Sequence, residues 1–305
     1  MRRLSIFLAA LGLAFLFGCS APSGSASNGT SAKNGGSPGV LHIALSPSED
    51  SEKMAVGFEP IRAQLAKDLE MDVKVDRVTD YSSVIEAQRA GKVDVAWYGP
   101  LSMILANQEA GAEPILIGQE EGKSTTYFSM IIVPANSPAK ELKDLKGKKI
   151  ALVDPGSTSG NLVPRMAVLK ATNATAEEFF GNVAYAGSHD AALLSLVNGN
   201  VDACAIQDIT FNAKCASKEI DESKFRVLWK SDPIPQSPIA VRKDLDPQLK
   251  EKIVQSFLAM DSKGVKMDVP GVGDFQKFHR VTMDDYQVIA EMASALGLSK
   301  NDMGK

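Results

Sequence analysis

An internal repeat constrains this chain more than any other feature. The short apolar runs Val40-Leu41-His42-Ile43-Ala44-Leu45 and Lys149-Ile150-Ala151-Leu152-Val153 share Ile-Ala-Leu at an offset of 107. Farther on, residues 84–96 and 192–204 match at an offset of 108: in each copy an amphipathic helical pattern ends at a glycine, Gly91 or Gly199, and Val-Asp opens a short strand. Short strands alternating with helical segments predict α/β units around a largely parallel sheet. Two similarly built α/β lobes follow. By the same offset Tyr81 falls opposite His189, each opening the helix after its lobe's second strand, and 97–100 falls opposite 205–208. These positions lie at the carboxyl edges of the sheets, where open α/β sheets take ligands.

Two proline-containing passages, 133–138 and 230–238, read as crossings between the lobes. The expected division is lobe 1 at 40–133 plus 236–305 and lobe 2 at 134–235, a two-crossing clamp able to close by hinge motion. The segment from about Asp246 onward is expected to complete lobe 1 with helices.

Residues 1–19 have the form of an export signal: Arg2 and Arg3, an apolar run over 4–17 too short for the roughly 20 residues of a membrane span, then Gly18-Cys19 as a lipidation site. Residues 20–39, nearly all Ser, Gly, Ala, Asn, Thr and Pro, cannot bury a core and read as a flexible tether. The expectation is a membrane-anchored protein facing the periplasm or the cell surface. Loss of Arg2 and Arg3 takes the formal charge from -4 to -6, which argues against nucleic acid as a partner and requires an anionic ligand to be met by local donors. Cys204 and Cys215 are compatible with a disulfide or with two separate thiols.

The segment Asp154-Pro155-Gly156-Ser157-Thr158-Ser159-Gly160 follows a strand and precedes an apolar helix expected from Asn161 or Leu162. Hydroxyls and helix-start N–H groups meet there, which suits an anion with several equivalent oxygens. No Lys follows the hydroxyls as in a nucleotide phosphate loop, and Thr158 stands where a Gly-x-Ser-x-Gly elbow would need its nucleophile. His189, at a helix start, offers a ring donor, and Tyr81, Tyr98 and Tyr127 offer phenols near the cleft. Asp208 would repel an anion unless it accepts a proton that the ligand still carries. His42 in the first strand and His279 in a C-terminal helix read as incidental. With three His a metal site is poorly supplied, no cofactor is called for, and no nucleophile, base and orienting group assemble for catalysis.

Asp80-Tyr81, Asp94-Val95-Ala96-Trp97-Tyr98-Gly99, Ser157-Thr158-Ser159-Gly160 before Leu162-Val163-Pro164, Gly187-Ser188-His189-Asp190, and Trp229-Lys230-Ser231 before Ile234-Pro235 occur in this order. Together they resemble the phosphonate-binding family of periplasmic proteins that serve ABC importers, including its phosphite-binding relatives. The resemblance implies a type II periplasmic binding protein fold, two α/β lobes joined by a two-crossing hinge, in a monomer that partners a permease and an ATPase. It implies an oxyanion held by Ser157, Thr158, Ser159, Tyr81, Tyr127 and His189. Members that take aminoalkylphosphonates place acidic side chains toward the ammonium; here those positions are Ile209 and Ser237, with Asp208 displaced by one. The implied ligand is therefore phosphite or a simple alkylphosphonate such as methylphosphonate.

Overall fold

The repeat is visible in the hydrogen bonds that start each copy. The Asp94 carboxylate accepts from the backbone N–H of His42 at 2.9 Å, and the Asp202 carboxylate accepts from that of Lys149 at 2.8 Å. Each Asp also donates its own N–H to the same residue's carbonyl, at 2.9 Å in both copies. Each Val-Asp pair thus locks the third strand of its copy to the first.

The computed structural model describes residues 39–269 and 273–298. The segments expected to form an export signal and a tether, with Cys19 as the expected lipidation site, lie outside them. The chain runs β1 (Val40–Leu45), α1 (Ser51–Leu69), β2 (Asp72–Asp76), α2 (Tyr81–Arg89), β3 (Val95–Trp97), α3 (Pro100–Ala110) and β4 (Glu113–Glu120). It continues through β5 (Thr126–Tyr127), β6 (Ser129–Pro134), β7 (Lys149–Leu152), α4 (Val163–Thr172), α5 (Ala176–Phe179), β8 (Asn182–Tyr185), α6 (His189–Val197), β9 (Ala203–Gln207), α7 (Asp208–Ala216) and β10 (Phe225–Lys230). It ends with β11 (Ile234–Pro235), β12 (Pro238–Val241), α8 (Pro247–Leu258), β13 (Met267–Val269), β14 (Gly273–Arg280) and α9 (Gln287–Ala295).

Among the described residues the strands form a seven-stranded sheet, β13-β14-β4-β12-β3-β1-β2, a five-stranded sheet, β10-β6-β9-β7-β8, and a two-stranded ladder, β11-β5. In the larger sheet β1 is parallel to β2 and β3, and β12 returns antiparallel to β3 and β4. In the smaller one β7 is parallel to β8 and β9, and β6 returns antiparallel to β9 and β10. The order β4-β12-β3-β1-β2 in the larger sheet matches β10-β6-β9-β7-β8 in the smaller, with β13 and β14 added to the larger, and the returning strand comes late in the chain for one sheet and early for the other.

The first crossing therefore falls upstream of the proline passage expected to carry it. Residues 129–134 already pair as β6, and the chain changes sheets over 121–128, a polar stretch that turns at Gly122 with φ +70°. The chain changes sheets a second time between β10 and β12, over 231–237. The segment after Asp246 is not purely helical either, since β14 pairs with β4 and extends the sheet. His279 accordingly sits in β14, opposite Ile117. A register irregularity between Phe275 and Lys277 leaves the buried Phe275 and Phe278 three positions apart, a spacing that reads as helical.

Helix α1 shows how local sequence places one wall of the site. Asp50 caps it by accepting from the N–H groups of Glu52 and Lys53, and Met54, Phe58, Ile61 and Leu65 form its buried stripe. Pro60 removes one helical hydrogen bond, but its ring and Val56, whose carbonyl loses the donor, are on the exposed face, where water substitutes. One apolar cluster packs α1 and α8 against the large sheet, and another packs α4 against the small sheet. A third contains residues from both, among them Ala44, Tyr98, Ala151, Val153 and Leu162. Cys204 and Cys215 are separate thiols.

Candidate functional site

Four helices begin at one cavity. Tyr81 opens α2 and His189 opens α6; Gly99 caps α3 and Gln207 caps α7; all four residues line the cavity. They are two repeat-related pairs, each 108 positions apart, so the duplication brings four positive dipole ends together. The cavity is small, about 40 Å³. A water occupies roughly 10–15 Å³ on this measure, so there is room for only a few heavy atoms.

Ser157, Thr158 and Ser159 form one face. Thr158–Leu162 winds as a single wide turn with i→i+5 bonding before α4 begins at Val163, slightly later than the sequence suggests. Such turns recur at functional sites because they re-aim the groups within them. The Ser157 hydroxyl accepts from the Gly160 N–H at 3.1 Å, so it does cap the turn, yet it also reaches the Tyr81 phenol. Thr158 Oγ1 accepts from the Leu101 N–H at 2.8 Å, a bond from the start of α3 to the opposite half of the site. Tyr127 hydrogen-bonds to the side chains of Ser159 and Thr158. Burial pushes the Tyr81 and Tyr127 phenols well above their ordinary range, so both remain protonated donors.

His189 is fully enclosed, and burial pushes its pKa down to about 3. Its Nδ1 accepts from the Gln207 N–H at 3.1 Å, so the neutral ring carries its proton on Nε2. The ring is a neutral donor, not a cation. No residue lining the cavity among the described residues bears a formal charge. An anion there is met by phenol, hydroxyl and imidazole donors at helix starts, in a water-poor setting where such donors act strongly.

Two expected site residues are placed differently. The Tyr98 ring lines the cavity, but its hydroxyl donates to Gln88 Oε1 at 3.0 Å. Asp208 lines a separate open groove; it accepts from the Phe128 N–H at 3.0 Å and lies 3.9 Å from Lys230. The cavity also contains Gln207, from the 205–208 stretch expected at the sheet edge, and residues that pattern reading did not single out: Ser46 and Ser48 after β1, and Gln236 on the second crossing. Ser46 Oγ and Trp97 Nε1 are buried without a hydrogen-bond partner among the described residues.

A family profile described as ABC transporter, phosphonate, periplasmic substrate-binding protein matches residues 43–286. The chain belongs to this family. It is 30% identical over 232 residues to the phosphate-import protein PhnD of Mycolicibacterium smegmatis, covering 73% of this chain and 72% of that one. It is 31% identical over 223 residues to the phosphonates-binding periplasmic protein of Escherichia coli, covering 72% of this chain and 65% of that one. Among solved structures, PhnD1 of Prochlorococcus marinus in complex with methylphosphonate superposes with a TM-score of 0.74 at 22% identity, covering 86% of this chain and 99% of that one. A binding protein component of an ABC phosphonate transporter from Pseudomonas aeruginosa gives 0.77 at 24%, covering 83% and 85%. The fold is that of a type II periplasmic binding protein, and the family is one of substrate-binding transport components, not enzymes.

Proposed function

We propose that this member of the family binds phosphite or a simple alkylphosphonate lacking an amine, such as methylphosphonate, and presents it to the permease and ATPase of an importer. The observation that carries the reading is the cavity lining, rich in neutral donors and, among the described residues, without a carboxylate that could pair an ammonium group. Ser157, Thr158, Ser159, Tyr81, Tyr127 and His189 hold the oxyanion; Tyr98 contributes only its ring, and Asp208 stands outside. The lobes close about the crossings at 121–128 and 231–237, which the β5–β11 ladder ties together.

Calorimetry with phosphite, methylphosphonate, 2-aminoethylphosphonate, phosphate and sulfate tests this. Phosphite or methylphosphonate should bind most tightly, and tightest binding of the amino compound overturns the reading. A second reading, phosphate, is favoured by the unpartnered Ser46 hydroxyl and Trp97 N–H, which suit a fourth ligand oxygen. On that reading Ser46→Ala weakens phosphate about tenfold, the net worth of one good hydrogen bond to an anion, and leaves methylphosphonate unchanged.

The same proposal includes a lipid anchor at Cys19 that keeps the folded part beside the membrane. Cys19→Ala should move the protein from the membrane fraction to the soluble fraction of cells. Retention in the membrane fraction would remove the anchor.

A further inference from the structure

Glu49, in the loop after β1, is 5% exposed and belongs to the lobe built on the large sheet. Its partners belong to the other lobe. Thr210 of α7 donates to Glu49 Oε1, and Gln207 Nε2 donates to the same oxygen at 3.3 Å. Gln207 also lines the cavity, bonds Thr210 at 3.0 Å, and through its N–H fixes the tautomer of His189. The adjoining Ser48 carbonyl accepts from the His189 N–H at 2.8 Å. Glu49 thus holds together, across the cleft, the residues that orient the imidazole donor.

Among the described residues no cation forms an ion pair with Glu49. From α6 Asp190 acts on it with like charge, and His189 is neutral. From α7 Lys214 attracts it, but without an ion pair between them; Lys214 is bonded to Glu219 at 2.5 Å. From α2 the neutral Tyr81 phenol is within electrostatic reach. A buried carboxyl with hydroxyl and amide partners and no paired cation is held as the neutral acid. A carboxylate there would also oppose the anion beside it.

We propose that Glu49 is a positioning residue that enters the interlobe contact protonated, so that closure over the anion takes up one proton from solvent. The inference rests on the anion-binding reading above. In the closed form burial, the largest influence, pushes Glu49 up to about 8 from its ordinary 4.5. A pKa raised by closure means that the coupling is fully favourable below the solvated pKa and is lost as pH rises through the closed one. Between pH 6 and pH 8 a pKa raised to about 8 implies an affinity loss of about ten- to a hundredfold attributable to Glu49, with between about half and one proton taken up per anion at pH 7. Asp154, also interlobe and raised to about 6, adds its own uptake only toward lower pH.

The test compares the full chain with Glu49→Gln, which keeps the accepting oxygen and cannot titrate. Phosphite, methylphosphonate and phosphate are titrated at pH 6, 7 and 8 in buffers of differing ionisation enthalpy, and subtracting the variant cancels protons that belong to the ligand or to Asp154. The expected result is an excess uptake of between about half and one proton by the parent at pH 7, with a parent-to-variant affinity ratio that falls about ten- to a hundredfold from pH 6 to pH 8. Equal uptake and parallel profiles overturn the role of Glu49 alone, whereas failure of all three anions to bind overturns the ligand reading and the coupling with it. Infrared difference spectra of the parent provide a check that does not depend on the variant folding. Binding at pH 7 should bring up a carboxylic-acid carbonyl band, and its absence refutes the proposal.

Discussion

Gly160→Ala should reduce anion affinity by about ten- to a hundredfold. A Cβ at this position would lie 2.2 Å from Val153 Cγ2, 2.5 Å from Val153 Cβ and 2.9 Å from Ser157 Oγ. Val153 is fully buried and has nowhere to retreat, so the backbone of the wide turn must move instead. That backbone carries Ser157, Thr158 and Ser159, and its Gly160 carbonyl accepts from the Val153 N–H at 3.0 Å. Overpacking of this kind costs roughly 1–3 kcal/mol, which lowers the melting temperature of a chain this size by several degrees. Calorimetry and a thermal melt measured together decide the matter. A variant that keeps both its affinity and its melting temperature would show that the turn tolerates a side chain.

Thr158→Val, which keeps the branched shape and removes only the hydroxyl, should weaken the same anion by about ten- to a hundredfold. A hydrogen bond to a charged group contributes roughly 1.5–3 kcal/mol, and each 1.4 kcal/mol is a factor of ten. The hydroxyl also accepts from the buried Leu101 N–H, so the variant leaves that donor unpaired and loses a bond that joins the halves of the site. The melting temperature of the ligand-free protein should therefore fall as well. Unchanged affinity in a folded variant would remove the turn from the binding surface.

Much of this site was legible because the chain is duplicated. Neither Tyr81 nor His189 belongs to a strong motif, but a fixed offset between two copies of one α/β unit places both at helix starts on the sheet edge, and both line the cavity. The Val-Asp pairs were legible for the same reason, since each does the same work in its copy. What sequence could not supply was the direction of side chains beyond a strand end. Tyr98 and Asp208 sit at the right edge, yet one hydroxyl turns to Gln88 and the other residue's carboxylate to the Phe128 N–H. Ser46 and Glu49 were missed because a residue just past a strand carries no periodic signal; only its place after the Ile-Ala-Leu strand could have marked it. The first crossing was misplaced because Pro134 ends β6 instead of interrupting it.

The different origin of the returning strand in each sheet bears on how the molecule comes into being. The five-stranded sheet draws on one continuous stretch and has all its strands by Lys230. The larger sheet must wait: β3 acquires its neighbour β12 only when Trp97 meets Ile239, and β4 meets β14 later still. Pairings over such separations carry a large loop-closure entropy and form slowly. A polypeptide emerging amino terminus first therefore has the means to finish its inner half while the outer half still presents unpaired strand edges, and it is in that interval that the nascent protein is most exposed to misassociation.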